Sequence, residues 1–346
     1  MEEIHRILET LERTGERSML ATITHVEGSA YRKEGTSMLF LEDGSQVGVL
    51  SAGCLEADLA ARVPNLLASG ASCSVVFDMR TSDPLSWGEG PGCDGVVHVT
   101  MEPVVGKLAG HLRILKEHLD QRQEVVHIKG FDSDRSVSDY LFVAENRRMF
   151  GDWSGPLPQE VQDRAAPELV RKSGLKWLSS MQTDVYVHTY YPQPRLILFG
   201  AGPDARPLAA FAAAAGFAVV VCDWRPALCK RTYFPDAAAL VVGRPEELLE
   251  TIPCTAYDSA IVMTHHYQKD GQLIRLLSER PLCYLGILGS KKRAERLLHD
   301  IPHRGNIHSP VGMAIGAEGP AEIAVSILAD VICTYSLTKK AGFRKS

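Results

Sequence analysis

Two cysteines stand in glycine-rich settings that give a packed structural thiol little reason to be there. Cys54 lies in "GVLSAGCLEADLA" (residues 48–60), where Gly48 and Gly53 with the small Ser51 and Ala52 permit a tight turn. Leu55, Leu59, Val63, Leu66 and Leu67 then recur at helical spacing. The pattern predicts a helix that starts at or near Cys54, and the positive end of a helix dipole favours a thiolate. Cys93 lies in "WGEGPGCDGVVHV", with Gly88, Gly90, Gly92 and Gly95 around it. Such glycines admit left-handed backbone and let N–H groups approach an anion closely. A thiolate in either place is a nucleophile or a soft ligand. No local signature pairs either one with His25 or His98 as a protease dyad.

The other six cysteines, Cys73, Cys222, Cys229, Cys254, Cys283 and Cys333, are widely spread, and no C-x-x-C pair occurs. This spacing argues against a disulfide framework or a zinc knuckle. Cys222 and Cys283 fall in strand-like apolar runs and read as core. The formal charge of −5 argues against a general nucleic-acid or membrane-surface role. No apolar run approaches the roughly 18 residues of a membrane span. The opening "MEEIHRILETLERTGE" lacks the apolar stretch of a signal peptide, so a cytoplasmic location is expected.

The elements that must position these residues fall into two sets. Up to about residue 190, hairpin signals at Asp43-Gly44 and Asn146-Arg147 mix with helices after Cys54 and near 107–119, which predicts a mixed α+β domain. Pro192 and Pro194 then precede a change of pattern. The runs "LILFG", "AVVVCD", "AALVVG", "SAIVMT" and "LCYLGILG" alternate with helical stretches, as in a parallel sheet covered on both faces. A last helix, "PAEIAVSILADVICTYSL", is apolar through Ile323, Ile327, Val331 and Cys333 and should pack against that sheet. The expected fold class is α/β, with domains at 1–190 and 191–346.

The second domain carries its own candidate site. Gly200 and Gly202 open the turn after "LILF", Ala205 stands where a third small residue belongs, and Asp223 ends the next strand. Strand, glycine turn, helix and acid together are the Rossmann pattern, in which a helix N-terminus takes a pyrophosphate and the acid takes ribose hydroxyls. Pro203 removes one N–H from that loop, and the fold can persist without its usual ligand. Thr264, His265 and His266 follow an apolar strand at the ligand-binding edge, or else form a solvated loop. Ser290 reads as an N-cap, yet Lys291, Lys292 and Arg293 fill the first helical turn, where positive charge is disfavoured. Either an anion offsets these three charges or the turn is simply solvated.

With these blocks in hand, the sequence resembles the XdhC/CoxI family, the xanthine dehydrogenase accessory factors, over nearly its whole length. The resemblance rests on "GSAYRKEGTSM", "GVLSAGCLE" and "GPGCDG" in the first half. In the second half it rests on "FGAG", "THHYQKD", "YLGILGSKKR" and "SPVGMAIGAEGPAEIAVSILAD". Ala52 and Asp94 stand where the family has glycine, Tyr31 where it has proline, and Pro203 where histidine is common. The resemblance implies a molybdenum-cofactor chaperone that holds the pterin cofactor while it acquires sulfur and passes it to a xanthine dehydrogenase-type apoenzyme. Carried over, Cys54 and Cys93 contact the cofactor, a soft thiolate suiting a thiophilic metal centre. Gly200, Gly202, Asp223, Thr264, His265, Ser290, Lys291 and Lys292 then hold its pterin or nucleotide part. A cysteine desulfurase and a second copy of the chain, as a homodimer, are further candidate partners.

Two other functions compete with this one. A nicotinamide-dependent oxidoreductase would use the Rossmann half for NAD(P) and a thiol or His265 for chemistry, although no hydride-acceptor constellation is evident. A ligand-free interaction scaffold would use neither site.

Overall fold

Continuous apolar runs in the carboxyl half and alternating ones in the amino half produce two different kinds of sheet. The computed structural model describes residues 3–51, 53–80, 95–165, 172–301 and 305–343, with the backbone alone for Cys54 and Arg164. The chain divides into two compact units, Glu2–Pro192 and Gln193–Ser346.

The amino unit begins with α1 (Ile4–Arg13), β1 (Ser18–Gly28), β2 (Ser37–Leu41), β3 (Gln46–Val47), α2 (Cys54–Ser69), β4 (Cys73–Asp78) and β5 (Gly95–Pro103). It continues with α3 (Gly106–Asp120), β6 (Val125–Phe131), β7 (Val137–Ala144), β8 (Met149–Asp152), α4 (Gln159–Arg164), β9 (Gly174–Leu178) and β10 (Thr183–Tyr190). Two five-stranded sheets result, in the orders β3-β2-β1-β5-β4 and β8-β7-β6-β10-β9, and every pairing in them is antiparallel. Both predicted hairpins are present, with Gly44 and Arg147 at positive φ in their turns.

Alternation decides which side of each strand is buried. Met19, Ala21, Ile23, Val97, Val99 and Met101 face α2, whose Leu55, Leu59, Val63 and Leu67 cover them at the expected helical spacing. On the second sheet, Val126, Ile128, Val185 and Val187 pack with Val161 of α4. Between these layers the interior is partly polar. The Lys129 ammonium donates to the Glu102 carboxylate and, at 3.4 Å, to Thr22 Oγ1, and it lies over the Tyr186 ring. Lys129 is wholly buried and Glu102 nearly so. His127, also buried, stacks on Phe142 at 4.1 Å between centroids. The strands β9 and β10 are not legible in the sequence reading, because β10 buries His188 and Thr189 beside its apolar residues.

On each side of the boundary the chain is hydrogen-bonded within its own unit. The Tyr191 carbonyl accepts from His5 Nε2 at 3.0 Å, Gln193 Nε2 donates to the Gly216 carbonyl at 3.2 Å, and the Ala218 N–H donates to the Pro194 carbonyl at 2.9 Å.

The carboxyl unit runs β11 (Arg195–Phe199), α5 (Ala205–Ala214), β12 (Ala218–Asp223), β13 (Ala239–Val242), α6 (Pro245–Thr251) and β14 (Asp258–Val262). It ends with α7 (Tyr267–Ser278), β15 (Tyr284–Ile287), α8 (Lys291–Leu298), β16 (Ile307–His308) and α9 (Pro320–Ala341). Its six strands are all parallel in the order β13-β12-β11-β14-β15-β16. Counted from β11 this is 3-2-1-4-5-6, the Rossmann order, with the switch point between β11 and β14. The apolar runs are buried on both faces, Leu196 and Leu198 toward α5 and α9, Ile197 and Phe199 toward α6 and α7.

Two sequence expectations change in this unit. α9 does pack its Ile327 and Val331 inward, but Cys333 on it is exposed rather than core. The helix is also long and apolar enough to cross a membrane by length and composition, which corrects the expectation that no such run exists. Its Tyr335 and Leu328 are buried within the unit, so one face already has an apolar partner.

Candidate functional site

The first site begins where the glycine turn predicts, since α2 starts at Cys54 behind Gly53 at φ 118°. What the sequence reading missed is Glu56, two residues on. Its carboxylate accepts from the N–H groups of Leu50 (2.9 Å), Ser51 (2.6 Å) and Gly53 (3.2 Å) and from the Ser51 hydroxyl. A Glu three residues after the N-cap, reaching back to the N-cap N–H, is half of a capping box and is the signal that could have found it. Burial works against the charge on Glu56, but the hydrogen bonds from Ser51 and Leu50 outweigh it and hold the carboxyl below its ordinary range. A buried anion therefore already occupies part of the positive end of this helix, which weakens the dipole argument for a second one.

The pH consequence follows directly. A carboxyl lowered in the folded state adds stability above its unfolded pKa and loses it as pH falls through the lower folded value. Glu56→Gln is expected to cost on the order of 2 kcal/mol near neutral pH and to flatten the loss of thermal stability below about pH 4. A Glu56→Gln melting profile parallel to that of the wild type from pH 7 to pH 3 would refute the role.

Cys93 and the Cys54 side chain lie outside the described residues. The strand that follows Cys93 is β5, and its first residue Gly95 pairs with Gly28 of β1. Three residues further on, His98 pairs with His25. These two histidines open onto a cleft of about 240 Å³ between the two sheets, with Asp132, Arg135, Trp177 and Asp184 on its other wall. The His25 and His98 rings are 5.3 Å apart, and their Nε2 atoms lie 3.8 and 3.9 Å from one Glu27 oxygen. Burial first, then His25 and Arg135, push His98 below the ordinary histidine range against the opposing pull of Glu27. Among the described residues no group of three or more His, Cys, Asp and Glu is placed to hold a metal ion.

In the carboxyl unit the glycines have internal reasons to be glycine. Gly200 has φ +128°, and a Cβ there would sit 2.4 Å from the Met263 carbonyl oxygen of the neighbouring strand. A Cβ on Gly202 would meet Asp204 Oδ1 at 2.6 Å. Asp223 does end β12, but its carboxylate is fully engaged. Oδ2 accepts from the Ala201 N–H at 2.8 Å and from Arg225 at 2.9 Å, and Oδ1 accepts from the Arg225 N–H and Nε, both at 2.9 Å. Burial opposes its charge, but Arg225 and these N–H groups prevail and keep the carboxyl below the ordinary range. As built, this acid positions Arg225 and has no lone pair turned outward for a ribose. The sequence signal for that partner is Asp-x-Arg.

The other candidates line the same edge of the sheet. Thr264 is buried and donates to Asp270, whose other oxygen accepts from Arg293 at 2.7 Å. His265, exposed and at φ 60°, bonds Asp204 Oδ2 at 2.7 Å and so ties the β11 loop to the β14 loop. His266 caps α7 through its ring, which accepts from the Lys269 N–H. Ser290 caps α8 as expected. Of the three basic residues, Arg293 is neutralised by Asp270, whereas Lys291 and Lys292 are exposed and form no ion pair among the described residues. Gly200, Gly202, Thr264, His265, Ser290, Lys291 and Lys292 therefore share one sheet edge. Trp224, Arg225, Lys269 and Asp270 complete it, and sequence reasoning had not singled them out.

A two-sheet amino unit joined to a parallel unit of Rossmann order, with basic and aromatic groups at the switch-point edge, defines the class of protein. Residues 11–78 match the XdhC and CoxI family, residues 106–191 the BH1974-like central domain, and residues 196–331 the XdhC Rossmann domain. A protein of Bacillus subtilis (strain 168), named as a probable xanthine dehydrogenase subunit, is 42% identical over 334 residues, 96% of this chain and 98% of that protein. The crystal structure of a xanthine dehydrogenase (BH1974) from Bacillus halodurans matches with TM-score 0.86 at 41% identity, covering 99% of this chain and 98% of that one. The "Molybdenum cofactor insertion chaperone PaoD" of Escherichia coli (strain K12) is 22% identical over 326 residues, 92% of this chain and 83% of that protein. The chain belongs to the XdhC and CoxI family.

Proposed function

We propose that this protein is a cytoplasmic accessory factor that binds the molybdenum cofactor, keeps its sulfurated form from water, and passes it to a xanthine dehydrogenase-type apoenzyme. The observation that carries this reading is the likeness, running through both units, to relatives whose names join xanthine dehydrogenase and molybdenum-cofactor insertion. Cys54 at the start of α2 supports a role for a soft ligand at that loop, and Glu56 holds the loop in place. Burial of Cys222 and Cys283, which pushes their thiols up, favours Cys54 and Cys93 over them in this reading. The nicotinamide reading gains nothing from Asp223, whose oxygens are already taken.

The test is cofactor retention and delivery. Protein purified from a molybdate-replete host should carry molybdenum and a fluorescent pterin, and should activate a cofactor-free xanthine dehydrogenase-type apoenzyme. Cys54→Ala and Cys93→Ala should each fold as the wild type does but retain at least tenfold less cofactor. Delivery by both variants at the wild-type rate would overturn the role of the cysteines. Absence of pterin and molybdenum, together with no activation by the wild type, would overturn the function.

A further inference from the structure

The carboxyl edge of the parallel sheet holds a group of side chains that the cysteine-centred reading does not use. Trp224 follows Asp223 at the end of β12. The Arg225 guanidinium carbon lies 4.5 Å and the Lys269 ammonium 4.7 Å from its ring centroid, and the His266 ring meets it edge-on at 5.9 Å. β12 and β14 flank β11 on opposite sides. The contact from Trp224 to α7 therefore crosses the end of β11, above the Gly200–Gly202 turn. The Asp204–His265 bond makes a second crossing from the β11 loop to the β14 loop. In a Rossmann fold a dinucleotide lies along this crevice; here two bridges span it.

The charges at this edge are unequal. Asp223 and Asp270 are buried and committed to Arg225 and Arg293, while Lys269, Lys291 and Lys292 form no ion pair among the described residues. Arg225 is held by two of its nitrogens on Asp223, which fixes the orientation of its planar fork in advance of any ligand. Among the described residues, the contact shown for the Lys269 charge is the face of Trp224. A positioned guanidinium and an ammonium with no carboxylate partner among the described residues, sharing one aromatic ring, are the parts of a phosphate clamp.

We propose that Arg225 and Lys269, on the Trp224 ring, bind the phosphate of a single phosphomonoester, and that the bridged crevice does not take a dinucleotide laid across the sheet. Two sources offer that chemistry, a mononucleotide and the phosphate tail of a pterin cargo; the second rests on the proposed function and the first does not.

The test titrates the full chain with 5′-AMP, adenosine, inorganic phosphate and NADH, by calorimetry and by tryptophan fluorescence. AMP should bind at least tenfold more tightly than adenosine, weaken with added salt, and bind no less tightly than NADH. Lys269→Ala should reduce AMP affinity about tenfold, and Lys269→Arg should restore it. Arg225→Ala is the less informative variant, because it leaves Asp223 buried without its cation. AMP binding well above inorganic phosphate assigns a nucleotide, whereas equal affinity assigns the phosphate group alone, as on a cargo tail. Equal binding of AMP and adenosine, no binding of either AMP or phosphate, tighter binding of NADH, or an unaltered Lys269→Ala protein would overturn the proposal. None of these results depends on cofactor delivery, so failure here leaves that assay to be judged separately.

Discussion

Lys129→Met is expected to destabilise the amino unit by about 3–5 kcal/mol, the usual cost of leaving one member of a buried ion pair without its partner. Lys129 has no exposed surface, and its ammonium is shared between Glu102, Thr22 and the face of Tyr186. Removing it leaves the nearly buried Glu102 carboxylate with no ion-pair partner among the described residues. The double variant Lys129→Met/Glu102→Leu removes both charges and should recover most of the loss, to within about 2 kcal/mol of the wild type. Urea unfolding of the three proteins measures both quantities. A double variant no more stable than the single would show that packing, and not the stranded charge, sets the cost.

Gly200→Ala should have an effect of similar size on the carboxyl unit, on the order of 3 kcal/mol from backbone strain and overpacking together. Its φ of +128° is one that L side chains rarely adopt, and the added methyl would meet backbone atoms of Met263 and Thr264 at 2.4–3.0 Å. The Gly200 and Met263 N–H groups are bonded to the carbonyls of Cys222 and Phe199, so this backbone at the strand ends cannot readily swing aside. Gly202→Ala meets a side-chain oxygen instead, so Asp204 can turn away at the cost of its bond to His265. The expected order of thermal midpoints is wild type, then Gly202→Ala, then Gly200→Ala. If Gly200→Ala melts with the wild type, and phosphate binding alone is lost, the glycine serves a ligand and the packing account fails.

This contrast shows what the sequence could and could not reveal. The carboxyl unit is readable because its longer strands are apolar runs and, β12 excepted, each is followed by a helix, the alternation a covered parallel sheet needs. The two-residue strand β16 carried no such signal. In the amino unit, the second sheet pairs β6 with β10, some 60 positions apart, and buries His127, Lys129, His188 and Thr189 among its apolar residues. Polar interiors of this kind erase the alternation that marks a strand.

The same limit applies to the sites. Gly200, Asp223 and Ser290 were recognisable because their roles are local to a turn or a cap. That Asp223 would be saturated depended on the rotamer of Arg225 and on the N–H of Ala201. The approach of Lys269 to Trp224 depended on the order of the strands, which no short motif encodes.

The brevity of the outermost strands has a consequence for a chain that must wait for a partner. A sheet edge is a template on which another copy can pair, and long flat edges seed aggregates. The first sheet ends on one side in the two-residue β3, the parallel sheet ends in the two-residue β16, and the second sheet ends in the four-residue β8. Each sheet thus closes at least one border with too few free N–H and C=O groups to recruit a foreign strand. Extending β3 or β16 by a few β-branched residues would convert a blunt border into an adhesive one, with self-association as the consequence to look for.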